Sequence, residues 1–345
     1  MNTVRGHEEQ ILRIYPITRL PNYQLLKLTC SACPRFAILD HNMNLQGCGT
    51  ALITPFRQNL SIDEERFAEL VEWQIKSGIH FLVPCGTTGE TPTLSKEEWL
   101  RVVDIAIEAA GGRVPIVAGA TSNDTADAVQ KAMELNKRKG VDAILTASPY
   151  YNKPTQEGQY QHFRAIAQAV DKPLVLYNVP GRTSANIEPA TLGRLAKIPN
   201  IIAVKEASGS IGQIAEVFNH VPDNFLVFSG DDAVTLPVIS LGGVGIISVA
   251  SNEIPREMSE LTAAALNNDW KKARQIHRKY LPLMQANFLE SNPMPVKTVV
   301  AMMGRVDEVF RLPMVPVKRE TRVKLQQIAS EIGLLEHVAA TVSDL

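Results

Sequence analysis

Cysteine is scarce: four in 345 residues are too few for a disulfide framework. Cys48 and Cys85 lie in apolar, strand-like surroundings, where a reduced buried thiol is the ordinary expectation, and Cys30 and Cys33 form a C-x-x-C with no second pair and no histidine nearby. The seven histidines are scattered and none stands at metal-ligand spacing, so neither a metal nor a cofactor is expected. An excess of one charge is also lacking. Lys and Arg number 35 against 36 Asp and Glu, which leaves no electrostatic footprint for nucleic acid or an anionic membrane surface. No apolar run approaches the roughly 18 to 20 residues that cross a bilayer. What remains, 45% hydrophobic and 21% charged residues, is the composition of a cytoplasmic globular protein whose partners are small molecules.

Residues 1–46 differ from the rest. They show neither a period of 3.6 nor a clean alternation, and Pro16, Pro21 and Pro34 interrupt any helix. Glu8 and Glu9 fall where a secretory signal would need its apolar core. Met43, directly before the first strand, suggests an internal start that would make this stretch an extension outside the folded protein.

From residue 47 short apolar runs alternate with longer amphipathic stretches that begin at Asp, Ser or Asn. Eight strands are expected, at 51–54, 81–84, 116–119, 143–147, 174–178, 201–205, 226–229 and 245–249. Helices are expected between them, such as 61–77 capped by Ser61 and 123–139 capped by Asn123 and Asp124. Near-continuous apolar strands separated by helices imply parallel strands buried on both faces. Eight such pairs in about 200 residues fit an α/β (β/α)8 TIM barrel better than an open doubly wound sheet. Beyond residue 254 strand signals vanish and helices are expected at 256–267, 270–287, 295–303 and 319–332. The expected division is a catalytic barrel over 47–268 and a helical C-terminal domain over 269–345.

Active sites of such barrels gather at the carboxyl ends of the strands. Strand two ends in Gly86-Thr87-Thr88-Gly89-Glu90, strand four in Pro149-Tyr150-Tyr151-Asn152, strand five in Tyr177-Asn178-Val179-Pro180 and strand six in Lys205-Glu206. An apolar strand that ends in Lys205 desolvates its amine, which favours the neutral, nucleophilic form. Taken alone, a strand-end lysine paired with Glu206 or solvent is the plainer reading, and Tyr177 alone reads equally as a packing residue. Together they suit imine chemistry, which needs a proton shuttle and donors for a substrate carboxylate. Thr87 and Thr88, between two glycines, can approach an anion closely, and Arg182 suits a second carboxylate. The cluster Gly242-Gly243-Val244-Gly245 lacks the acidic residue of a nucleotide fingerprint and reads as a tight turn into the last strand.

These motifs, with Ser148-Pro149-Tyr150-Tyr151-Asn152-Lys153-Pro154, Tyr177-Asn178-Val179-Pro180-Gly181-Arg182-Thr183, Val204-Lys205-Glu206-Ala207 and Ser229-Gly230-Asp231-Asp232, give the sequence a strong resemblance to the dihydrodipicolinate synthases, within the lysine-dependent pyruvate aldolase family. The resemblance runs from about residue 47 nearly to the C-terminus. It implies that Lys205 forms an imine with pyruvate, whose enamine attacks L-aspartate 4-semialdehyde, at the first committed step of lysine and diaminopimelate synthesis. It further implies a proton relay of Tyr177, Thr87 and Tyr151, with Tyr151 supplied across a dimer interface of a homodimer or homotetramer. Thr88 would hold the pyruvate carboxylate and Arg182 that of the semialdehyde, with Gly230 and Ile247 lining the pocket.

Relatives on this scaffold cleave N-acetylneuraminate or 2-keto-3-deoxy sugar acids, and Arg182 favours the short semialdehyde over such polyhydroxylated substrates. A non-catalytic keto-acid sensor would be expected to lack Lys205 or the tyrosines. In lysine-inhibited relatives the dimer interface binds the amino acid, and the corresponding residues are Thr91, Pro92, Lys96, Trp99, Asn123, Asp127 and Tyr150. Lys96 stands where inhibited bacterial enzymes often have His, and Asp127 where a longer Glu is usual. The charge of Lys96 opposes a second ammonium, so weak or absent inhibition by lysine is expected.

Overall fold

The computed structural model describes residues 45–335, so the extension before residue 45, with its C-x-x-C, lies outside the described residues. Eight parallel strands follow one another in the order of the chain: β1 (Gly47–Ala51), β2 (Phe81–Val83), β3 (Val117–Gly119), β4 (Ala143–Ala147), β5 (Leu174–Asn178), β6 (Ile201–Glu206), β7 (Leu226–Ser229) and β8 (Gly245–Ser248). β1 pairs with both β2 and β8, and the ring closes between β2 and β3, where Leu82 bridges Ile116 and the Gly119 amide donates to the Pro84 carbonyl at 3.0 Å. This is a TIM barrel.

The helices between the strands are α1 (Glu64–Lys76), α2 (Lys96–Ala110), α3 (Thr125–Asn136), α4 (Gln156–Ala169), a single turn α5 (Pro180–Thr183), α6 (Pro189–Leu195), α7 (Ile211–His220), α8 (Thr235–Ser240) and α9 (Pro255–Leu266). Their ends follow from capping. Asp63, not Ser61, caps α1 by accepting from the Arg66 amide, because Ile62 is held extended in a bridge to Phe56. Ser95 and Glu98 form a capping box at α2. Asp124 alone caps α3, and Asn123 instead donates its amide to the Tyr150 carbonyl at 3.2 Å.

Alternation along each strand sorts its residues between two layers. Leu82, Ile144, Leu176 and Val204 face the helices, whereas Phe81, Leu145, Val175, Tyr177 and Phe228 fill the barrel interior. Phe81 and Phe228 meet edge to face, with ring centroids 5.5 Å apart. Gly49 makes room for them: a Cβ there would lie 2.0 Å from the Phe81 ring. The glycines at 47 and 49 also explain why the first strand was expected four residues too late, since they break the apolar run that marks a strand.

Three more helices follow among the described residues: α10 (Trp270–Ala286), α11 (Met294–Met302) and α12 (Arg319–Glu331). Met294, Val299, Phe310, Leu325 and Ala329 share a small core of their own. The start of α11 reaches the loop after β2, where Lys297 donates to Glu90 at 2.7 Å with both side chains fully buried. No helix among the described residues is long and apolar enough to cross a membrane.

Candidate active site

Parallel register sets Tyr177 of β5 beside Lys205 of β6. Both point into the barrel, and the Lys205 amine lies 4.3 Å from the centroid of the Tyr177 ring. Burial, the largest influence, brings the Lys205 pKa down to about 8, against an opposing pull from the Asp232 carboxylate and with a small push from Arg182. Burial pushes the Tyr177 phenol up to about 12, so it stays protonated.

Glu206, the neighbour that the plainer reading paired with Lys205, turns to the opposite face as strand geometry requires. It accepts from Asn178 Nδ2 at 3.0 Å and from the Ser208 amide at 2.7 Å. The carboxylate that does act on the amine is Asp232, fixed by the Ser248 hydroxyl at 2.5 Å and by the amides of Val249 and Ala250 at 3.1 and 3.0 Å. Sequence reasoning passed over it, although it stands in the Ser229-Gly230-Asp231-Asp232 motif.

Gly230, at the end of β7, lies directly beside the lysine. A Cβ there would come within 2.8 Å of Ala207 Cβ and 3.1 Å of Lys205 Cγ, so only glycine leaves this path clear. Ile247 is buried on the inner wall. After β2 the chain forms a 3-10 turn over Thr87–Gly89, with Thr87 exposed toward a cavity and Thr88 buried. Thr88 Oγ1 accepts from Asn292 Nδ2 at 3.0 Å, and Arg182 Nη2 donates to the Asn292 carbonyl at 3.3 Å. Asn292 was not found in the sequence because nothing local marks a residue that reaches the site from 204 positions away.

A cavity of about 670 Å³ opens from Leu145, Tyr177 and Arg182. It continues without interruption to Thr91, Pro92, Lys96, Trp99, Asp127 and Tyr150, six of the seven residues that the resemblance assigned to a lysine site. Asn123 stands behind them on the Tyr150 carbonyl. Lys96 pairs with Glu134 at 3.0 Å and Lys131 with Asp127 at 2.8 Å, so two cations already face this end. Tyr151 is not among the residues that line the cavity: it is 88% exposed, on left-handed backbone with φ 73°.

A TIM barrel that buries one amine beside a phenol at the carboxyl ends of its strands has the architecture of the Schiff-base-forming lyases. The chain belongs to the dihydrodipicolinate synthetase family, whose model matches residues 44–332. It is similar to the 4-hydroxy-tetrahydrodipicolinate synthase of Koribacter versatilis (strain Ellin345), with 68% identity over 87% of this chain and 100% of that protein. The corresponding synthase of Acidobacterium capsulatum is 58% identical over 85% of this chain and 97% of its own. The crystal structure of the chloride-inhibited dihydrodipicolinate synthase from Acinetobacter baumannii, complexed with pyruvate, superposes with a TM-score of 0.82 at 41% identity, over 84% of this chain and 99% of that one.

Proposed function

We propose that this chain condenses pyruvate with L-aspartate 4-semialdehyde to give 4-hydroxy-tetrahydrodipicolinate, the first committed step of lysine and diaminopimelate synthesis. The observation that carries the reading is the buried Lys205 amine, its pKa brought down to about 8 beside Tyr177. The neutral nitrogen adds to the ketone carbon of pyruvate, and loss of water leaves the imine. Loss of a methyl proton gives the enamine, whose carbon attacks the aldehyde of the second substrate. The amino group of that substrate then displaces Lys205 as the ring closes.

Tyr177 and Thr87 carry protons for these steps, completed by Tyr151 of a second protomer in a cytoplasmic homodimer or homotetramer. The exposure of Tyr151 on a constrained backbone supports that role. Thr88 binds the pyruvate carboxylate and Arg182 that of the semialdehyde, while Gly230 and Ile247 shape the wall. The pyruvate complex of the Acinetobacter baumannii relative supports the choice of first substrate.

Borohydride reduction with pyruvate, followed by peptide mapping, tests the reading: Lys205 should carry the label, and label on any other lysine refutes the assignment. With N-acetylneuraminate offered beside the semialdehyde, preference for the sugar would instead make the chain a sugar-acid lyase.

A further inference from the structure

A hydroxyl can donate or accept, and what its neighbours do decides which capacity is left for a ligand. Thr88 has one nearby side-chain partner, and that partner is a donor: Asn292 Nδ2, at 3.0 Å from Thr88 Oγ1. Both side chains are buried, Thr88 at 2% and Asn292 at 4% exposure, so water does not compete freely for either. The amide is itself held in place. Its backbone carbonyl takes the Arg182 guanidinium at 3.3 Å, and five residues further on Lys297 is fixed to Glu90, two residues after Thr88. Asn292 Oδ1 is buried with no hydrogen-bond partner, so the amide meets Thr88 through its donor side alone.

We infer that Asn292 is a positioning residue that fixes the polarity of the Thr88 hydroxyl, occupying its oxygen so that its hydrogen is turned to the carboxylate of the keto acid. The inference rests on the proposed role of Thr88 and extends it. A carboxylate offers only acceptors, so a Thr88 whose hydrogen were engaged elsewhere would present it with lone pairs and repel it. Through its backbone carbonyl the same residue touches Arg182, so one residue of the C-terminal segment contacts both candidate carboxylate-binding side chains.

The test is steady-state kinetics on full-length N292A, N292D, T88V and the double variants N292D/T88V and N292A/T88V, with pyruvate and the semialdehyde varied in turn. T88V should raise the pyruvate KM about tenfold, the scale of one hydrogen bond to a charged group. N292D is nearly isosteric but replaces the donor with an acceptor that captures the Thr88 hydrogen. It should raise the pyruvate KM more than N292A does, with kcat moved less than KM. In the T88V background neither substitution at 292 should raise the pyruvate KM further.

Equal effects of N292A and N292D, or substitutions at 292 that multiply with T88V, would overturn the inference and leave the Thr88 assignment intact. A pyruvate KM unmoved by T88V would refute the Thr88 assignment, and the inference with it. If N292D does not fold, the N292A and T88V cycle decides alone, since coupling supports the inference and independence overturns it.

Discussion

Tyr177 and Lys205 are register partners on adjacent parallel strands, and the amine nitrogen lies 4.3 Å from the centre of the phenol ring. The ring and the hydroxyl therefore make separable contributions. Tyr177→Phe keeps the ring, and with it the burial that dominates the pKa of Lys205, while the hydroxyl proposed to transfer protons is lost. The turnover rate should fall by about 10²- to 10⁴-fold, the usual worth of a positioned acid or base, with little change in thermal stability. A loss of less than fivefold in stopped-flow imine formation would remove Tyr177 from the relay.

The pH dependence follows from the sign of the shift at Lys205. Because burial lowers its pKa to about 8, the amine is charged below that value and neutral above it. Only the neutral form attacks, so kcat/KM for pyruvate should rise about tenfold per pH unit up to about 8 and then level off. The Tyr177 phenol, pushed up to about 12, remains a donor throughout this range. A profile flat from pH 6 to 9 would contradict the assignment.

Glu90 and Lys297 form an ion pair with no exposed surface. Removal of one partner strands the other charge in the interior, which typically destabilises by about 3 to 5 kcal/mol. Lys297→Met should show this in urea unfolding, and the double variant E90Q/K297M should recover much of the loss. A change below about 1 kcal/mol for Lys297→Met would mean that the pair is solvated in practice.

Gly230→Ala puts a methyl group against Ala207 and the stem of Lys205. Displacement of the amine by a fraction of an ångström should slow imine trapping by up to about 100-fold. Ala207→Gly removes the nearest contact and should restore part of the rate. Full activity in Gly230→Ala alone would show that Lys205 does not use this path.

Free lysine should inhibit weakly, with half-inhibition above about 1 mM, or about −4 kcal/mol of binding. Lys96 and Lys131 already bring two cations to the far end of the cavity, each paired with its own carboxylate. Lys96→His should strengthen inhibition in an initial-rate assay. Sub-millimolar half-inhibition of the unaltered enzyme would contradict this reading.

Seven of the eight strands were legible as apolar runs, since residues buried on both faces leave an unbroken signature in the chain. The first strand was displaced because it carries glycines at 47 and 49, and a Cβ at the second would overlap the Phe81 ring. Lys205, Tyr177 and Thr88 stood out as candidates because each closes a strand or follows one directly. Asn292, Lys297 and the role of Asp232 could not be found, because they act through space on groups far away or on the other side of a turn. Local pattern reports which face a residue occupies, and long-range hydrogen bonds leave no trace in it.

The contacts from Asn292 and Lys297 back to Thr88 and Glu90 also make the mouth of the barrel depend on the segment beyond it. Every strand of the barrel precedes residue 249, yet the counter-ion of the Glu90 carboxylate is supplied by Lys297 in α11. The rim of the cylinder is therefore finished by residues that come after its last strand, so a chain cut before residue 292 would keep every strand and lose both contacts.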